Sequence, residues 1–276
     1  RDLMDPLFLT EVVEHSCYNY SDGTKLLHPS EGITKPNYTG PKTGTKEHWE
    51  FLDETKKYSW IKSPTFQGKA CEVGPLAKYI VVYTKVKQGI IKNPTWAEAL
   101  MVKQVDTVSS VLGVPAHVWM CSTVGRTACR ALDAQVAASL SQYFFDKLVS
   151  NIKGGDTVVA NTEKFDPNTW PKEAKGVGVL DAPRGGLGHW CVIKDGKIDN
   201  YQCIVPTTWN ACPKTIANEH GAYESNMIDT KVKIADKPLE ILKGIHSFDP
   251  CLACSTHLYN KKGEEIVSVN TDALCK

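Results

Sequence analysis

Along the 276-residue chain, apolar positions keep helical spacing in several stretches and alternate in one. In "DPLFLTEVVEHSCYNY", Leu7, Leu9, Val12 and Val13 recur on one side of a helix that Asp5 and Pro6 would open as N-cap and first turn. His15 near its end is a candidate cap or ligand. Residues 21–72 show no sustained period and are rich in Gly, Pro, Lys and Thr, which predicts an irregular wrapping segment or functional loop. Short extended pieces in "YSWIKSPTF" lead into a helix after Gly74-Pro75. "NPTWAEALMVKQVDTVSSVLG" reads as a helix capped by Asn93 and stopped by Gly113 and Pro115. The next stretch, "AHVWMCSTVGRTACRALDAQVAASLSQYFFDKLVSNIKGG", reads as one long helix. Its small and apolar positions predict close packing against another long helix. Arg126 and Arg130 sit one turn apart on it.

The pattern then changes from helical spacing to alternation. "GVGVLDAPRGGLGHWCVIKDGKIDNYQCIVP" carries β-branched residues and breaks at Gly185-Gly186 and at Asp195-Gly196, as a hairpin with a tight turn does. Arg184 and His189 are unusual residues for such a hairpin. A turn and helix follow in "TTWNACPKTIANEHGAYESNMI", and a last amphipathic helix, "KPLEILKGIHSFDP", leads to two cysteines. The elements together predict a mainly α (α+β) fold, a long-helix bundle with a small antiparallel β-hairpin region. The boundaries fall at 1–73 (a first helix and the irregular wrapping segment), 74–154 (helical bundle), 175–257 (hairpin and candidate site) and a tail, 258–276.

Composition narrows the function classes. With 32 basic and 31 acidic residues the charge is nearly balanced, so neither a nucleic-acid footprint nor a polybasic membrane anchor is expected. No apolar run approaches the roughly 18–20 residues that span a bilayer, and the chain reads as soluble. It opens "RDLMDPLFLTEV", without an initiator Met and inside an element, so it is expected to be the interior of a longer sequence. Ten cysteines are too sparse for a disulfide scaffold. Cys17, Cys71, Cys121, Cys129, Cys191, Cys203 and Cys212 read as reduced fillers, and Cys275 lies in the tail.

Cys251 and Cys254 differ, because "DPCLACSTH" places them three apart between Asp249 and His257. A redox dithiol would open a helix after a strand, whereas here the helix precedes the motif. A structural zinc knuckle needs a second close pair, and no other CxxC occurs. A zinc deaminase would join His48-Trp49-Glu50 to Pro250-Cys251, two pieces far apart in the chain. The fourth reading is a soft transition-metal site only half contained in this chain, since thiolates suit nickel and iron and two are too few for a closed site.

D-P-C-x-x-C-x-x-H, preceded by "APRGGLGHW" and "VPTTWN", resembles the large subunit of [NiFe] hydrogenases. So do "HSCYNY" (where the family usually has Trp in place of Cys17), "YTGP", "YSWIKSP", "EVGPLA" and "STVGRTACR", in order along essentially the whole chain. The resemblance implies that Cys251 is a terminal ligand to nickel and that Cys254 bridges nickel to an iron carrying carbon monoxide and cyanide. It implies Arg184 above the open face of the metals and Asp249 paired with it as its orienting partner. Pro183 and Thr207 would line the cyanide pocket. His257 and the backbone carbonyl of Cys203 would help hold a magnesium ion, with His189 in the same polar shell. Splitting H2 needs a Lewis-acidic metal and a base for the proton, and a thiolate can be both ligand and base.

The resemblance also implies partners. Nothing here resembles an iron–sulfur ligand set, so an iron–sulfur small subunit is expected to carry the electrons. A membrane cytochrome b at the periplasmic face of the membrane would complete a respiratory uptake complex. The family's other cysteine pair, in R-x-C-G-x-C, is absent, as are the proton-relaying glutamate and the acidic magnesium ligand. The chain is therefore expected to be the C-terminal half of a large subunit, inactive until joined to its N-terminal half. The tail after His257 is where the family's maturation protease would cut. Competing readings are a hydrogen-sensing regulatory relative, which tends to lack a cleavable tail, a noncatalytic respiratory complex I relative, which loses the cysteines, and a structural zinc protein.

Overall fold

The computed structural model describes residues 3–5, 8–38, 55–234 and 237–250, and the backbone of two further strands at 255–259 and 265–270. Seven α-helices and ten strands occur among these residues, in successive blocks, so the chain is mixed α/β rather than mainly α. It divides into two compact units, one made of 1–73, 175–192 and 200–276, the other of 74–174 and 193–199.

The first unit is built on small sheets. Strand β1 (Leu9–Val12) lies between β3 (Leu26–Leu27) and β5 (Ser63–Phe66), antiparallel to both, with Leu9 opposite Phe66 and Val12 opposite Ser63. Strands β2 (Tyr18–Tyr20) and β4 (Thr34–Pro36) form a second pair. The helix expected over 5–20 is thus replaced, among its described residues, by β1 and β2, while 6–7 lie outside the described residues. Leu9, Val12 and Val13 are buried either way, but a strand here gains ladder bonds from two partners distant in sequence. The irregular segment expected over 21–72 contains β3, β4 and β5, while 39–54 lie outside the described residues. Lys57 ties this region together: its ammonium donates to the carbonyls of Val13, Ser16 and Tyr18 at 2.7, 2.7 and 2.6 Å.

Strands β6 (Glu173–Ala182), β7 (Gly185–Lys194) and β8 (Lys197–Ile204) follow one another in a sheet of that order. Two-residue connections at 183–184 and 195–196 impose antiparallel pairing. Asp195 and Gly196 both have positive φ (49° and 71°), as a primed hairpin turn requires. Trp190 on β7 packs with Leu9 and Ile204, and its indole N–H donates to the Leu3 carbonyl at 3.1 Å. Gly188 sits under that ring; a Cβ there would come within 2.4 Å of it. Helices α5 (Pro206–Asn210), α6 (Ala222–Met227) and α7 (Leu239–Ser247) follow, and a hairpin of β9 (Ser255–Tyr259) with β10 (Glu265–Asn270) is the last described feature.

The second unit holds α1 (Pro75–Lys87), α2 (Trp96–Leu112), α3 (Ala116–Met120) and α4 (Thr123–Lys153). Thr95, rather than Asn93, caps α2 in a reciprocal box with Glu98. Gly113 ends the helix in the left-handed conformation, as its position predicts. The long helix expected after it is broken at Cys121, and Ser122 caps α4 through the Gly125 amide at 2.9 Å. Leu76, Tyr79, Met101, Val105, Trp119, Met120 and Cys129 form the core of these helices. Inside it Gln104 accepts from Tyr79 Oη at 2.7 Å and donates to Gln135 at 2.8 Å, so the buried amide is satisfied.

Gly125 lets α4 pass close to the end of α3, since a Cβ there would sit 2.1 Å from the Trp119 carbonyl oxygen. Backbone cannot yield as a side-chain tip can. Gly125→Ala is expected to destabilise the chain by ~1–3 kcal/mol, read as a lower urea midpoint at unchanged slope.

Candidate metal-site region

The β6–β7 connection carries Pro183, which is exposed, and Arg184, which is partly buried. Arg184 reaches the residue that follows α7: its Nε–H donates to the backbone carbonyl of Asp249 at 3.0 Å and lies 3.3 Å from the Asp249 carboxylate. One donor is thus shared between two oxygens of one residue. Asp249 has φ 55°, a left-handed conformation that Asp and Asn tolerate better than most residues. Its amide closes on the His246 carbonyl at 2.9 Å, and the chain leaves α7 through this turn toward Cys251. Cys251 and Cys254 themselves lie outside the described residues. His257 is described by its backbone alone, in β9, opposite Ser268.

The other expected residues fall on neighbouring elements. Thr207 is buried in α5, and Cys203 on β8 is exposed as a side chain. His189 forms a 2.5 Å hydrogen bond from Nδ1 to the Tyr201 hydroxyl, so its described polar partner is on β8 rather than Arg184 or Asp249. Asn210, the last residue of "VPTTWN", exchanges two 2.9 Å bonds with the backbone of Val73 in "EVGPLA", as a strand partner would. Among the described residues no three His, Cys, Asp or Glu side chains gather as a metal-binding group.

Sequence reasoning missed a buried ion pair. Glu11 on β1 is 1% exposed and meets Lys62 at 2.6 Å. Gln202 donates to Glu11 at 3.3 Å and lies 3.5 Å from the Cys203 carbonyl, linking the pair to that backbone. Burial raises the proton affinity of Glu11, an effect that outweighs the attraction of Lys62. The available signal was a lone carboxylate between Leu9, Val12 and Val13, hidden once those residues were read as a helix face. A second cluster joins Tyr58, whose hydroxyl donates to Glu224 at 2.7 Å and accepts the Lys214 amide at 2.8 Å, to His220, 2.8 Å from Glu224. Burial beside Glu224 pushes the nearby Cys212 thiol up to about 12.

Residues 2–257 match the family described as nickel-dependent hydrogenase. The chain belongs to that family. It is 48% identical over 269 residues to the hydrogenase-1 large chain of Escherichia coli K12, with 97% of this chain and 43% of that protein covered. It is 50% identical over 270 residues to the uptake hydrogenase large subunit of Rhizobium leguminosarum bv. viciae, again covering 97% and 43%. Among solved structures, the reduced, active Ni-Fe-Se hydrogenase of Desulfomicrobium baculatum superposes with a TM-score of 0.64 at 27% identity, over 90% of this chain and 44% of that one. The chain spans less than half the length of these relatives.

Two outcomes test this geometry. Asp249→Asn keeps a side chain suited to positive φ, whereas Asp249→Val forces a β-branched residue into it; the Val variant is expected to be less stable than the Asn variant by about 1–2 kcal/mol in urea titrations. Thiol alkylation at pH 8, mapped by mass spectrometry, is expected to mark exposed Cys121 and Cys203 first among the described cysteines. Cys212 should stay unmodified while the chain is folded, because only the thiolate reacts and its fraction there is negligible.

Proposed function

We propose that this chain is the C-terminal portion of a [NiFe] hydrogenase large subunit and that the assembled enzyme cleaves H2 into protons and electrons, working in the uptake direction. The observation that carries the reading is the pairing of Arg184 with Asp249, two residues ahead of Cys251. The donor chemistry fits a nickel–iron centre in part: Cys251 and Cys254 offer soft thiolates at a spacing that can share a metal pair, and two of them need completion from elsewhere. The remaining thiolates would come from the part of the large subunit that the relatives have and this match does not cover. The same part would add its own helices to α1, α2 and α4, completing a long-helix bundle.

The chemistry that such a centre supplies when bound is polarisation of H2 and acceptance of its electrons. The chain's own residues hold and orient. Cys251 and Cys254 would hold the metals, and a thiolate not fully committed to metal could hold the proton. Asp249 holds the Arg184 guanidinium through Nε, and the guanidinium would place positive charge and N–H donors where H2 and the iron's diatomic ligands would lie. Pro183 on the same connection and the Thr207 hydroxyl would enclose carbon monoxide and cyanide. His257 and the Cys203 carbonyl would hold magnesium, with Glu11 and Lys62 near that carbonyl as a buried polar reserve. Electrons would leave through iron–sulfur clusters of a small subunit to a membrane cytochrome b, with the complex on the periplasmic face. A maturation protease that removed the residues after His257 would have to cut inside β9.

The test is made on the full-length large subunit carrying this sequence, purified with its small subunit. Infrared bands from metal-bound carbon monoxide and cyanide and stoichiometric nickel are expected; an assembly without nickel refutes the reading. Cys251→Ser is expected to lose the nickel, and retention of metal with full H2 uptake would count decisively against the assignment. Arg184→Lys, which keeps the charge and loses the fork, is expected to retain nickel while H2 uptake falls at least ~100-fold.

A further inference from the structure

Two of the thiols that the proposed function leaves unused lie on neighbouring connections of the first unit. Cys71 is on the β5–α1 connection and Cys212 on the α5–α6 connection. The two stretches are fastened to each other on either side of these cysteines. Beyond Cys71, the Val73 backbone exchanges its two 2.9 Å bonds with the Asn210 amide, two residues before Cys212. Ahead of Cys71, the Ala70 amide donates to the Glu219 carboxylate at 3.4 Å and the Lys69 ammonium meets it at 2.6 Å. Residues 69–73 therefore run opposite in direction to 210–219, with one cysteine between the ties on each side. Ser63 on β5 holds the carbonyls of Pro213 and Lys214, and a Cβ at Gly221 would come within 2.9 Å of the Cys212 sulfur, so that sulfur is closely confined. Burial first, then Glu224, and Cys71 as well keep the proton on Cys212, which puts the two sulfurs within electrostatic reach of one another. Cys71 is the more accessible of the two. Its 3.6 Å contact with the Lys69 carbonyl is weak, and a turn about χ1 gives it up.

We propose that Cys71 and Cys212 are a peroxide-responsive thiol pair that closes to a disulfide and locks the β5–α1 connection to the α5–α6 connection. The proposal goes beyond the functional reading and is independent of it, since neither sulfur is assigned to the metals. Hydrogen peroxide is the oxidant. The Cys71 sulfur attacks it, the O–O bond breaks, and a sulfenic acid forms on Cys71 with release of one water. The Cys212 sulfur then attacks the Cys71 sulfur. The S–S bond forms, the S–O bond breaks, and the hydroxyl leaves with the Cys212 proton as a second water. Two electrons pass from the two sulfurs to one peroxide. Burial keeps thiolate scarce and slows both steps. The second step is intramolecular, and a neighbour already held in place outruns any thiol in solution.

The test uses the full-length large subunit carrying this sequence, purified with its small subunit. The protein is reduced, freed of reductant, treated with hydrogen peroxide, alkylated in denaturant and digested with trypsin. A linked pair of peptides, 70–78 with 198–214, is expected, and it should vanish on reduction. The second peptide holds both Cys203 and Cys212, so its fragments must place the link at Cys212. Cys71 linked to Cys203 or to any other cysteine overturns the proposal. So does Cys71 recovered as a sulfinic acid, or as an unmodified thiol at a peroxide dose that oxidises exposed Cys121. This map is read on the unaltered sequence and stands whatever becomes of a variant. Cys212→Ala is expected to raise the yield of sulfinic acid on Cys71 several-fold at the same dose, because nothing is left to intercept the sulfenic acid. An unchanged yield would show that Cys212 takes no part and would equally overturn the proposal.

Discussion

A single guanidinium joins two parts of the chain 65 residues apart, the β6–β7 connection and the turn that ends α7. Arg184 sits on a two-residue strand connection with little freedom of its own. Asp249 occupies the turn that leaves α7. Because Nε contacts both the backbone carbonyl and the carboxylate of Asp249, the bond constrains where the main chain goes as well as where the charge sits. In sequence, Cys251 follows two residues later. Both partners are partly exposed, and the attraction by itself is modest. Its weight is geometric: it ties the β6–β7 connection to the turn that ends α7.

Supporting contacts extend that tie across the same unit. Asn210 reads the backbone of Val73 through both ends of its amide, and Ser63 donates to the carbonyls of Pro213 and Lys214 at 2.7 and 3.1 Å. Tyr58 accepts from the Lys214 amide. The stretch after "VPTTWN" is thereby held by side chains rather than by regular structure, which explains how short helices of five and six residues keep their places. Sequence blocks that look like separate motifs, such as "EVGPLA" and "VPTTWN", are two sides of one hydrogen-bonded contact.

Where structure follows from nearby residues, the sequence was legible. Gly74-Pro75 opens α1, Gly113 closes α2, and Asp195-Gly196 makes the β7–β8 turn, each through local backbone chemistry. Distance defeated the rest. For β1 both periods fit Leu9, Val12 and Val13, and the partners that decide between them, β3 and β5, are not its immediate neighbours in sequence. The same ambiguity concealed Glu11, whose partner Lys62 and neighbour Gln202 are visible only once β1, β5 and β8 are folded. The break between α3 and α4 was missed because Ser122 caps well yet also passes as an ordinary small helix residue. At the site, Arg184 and Asp249 were named from a resemblance, and no periodicity would have paired them.

Lys57 shows what such long-range closure means chemically. Three carbonyls, from Val13, Ser16 and Tyr18, converge on one ammonium, and burial makes its proton easier to lose than that of an ordinary lysine. A compact tetrahedral donor can address three acceptors gathered around a point, whereas a flat guanidinium spreads its N–H groups within a plane. Exchange of this lysine for arginine, harmless on most surfaces, would leave at least one carbonyl without its donor and loosen the segment between β1 and β2.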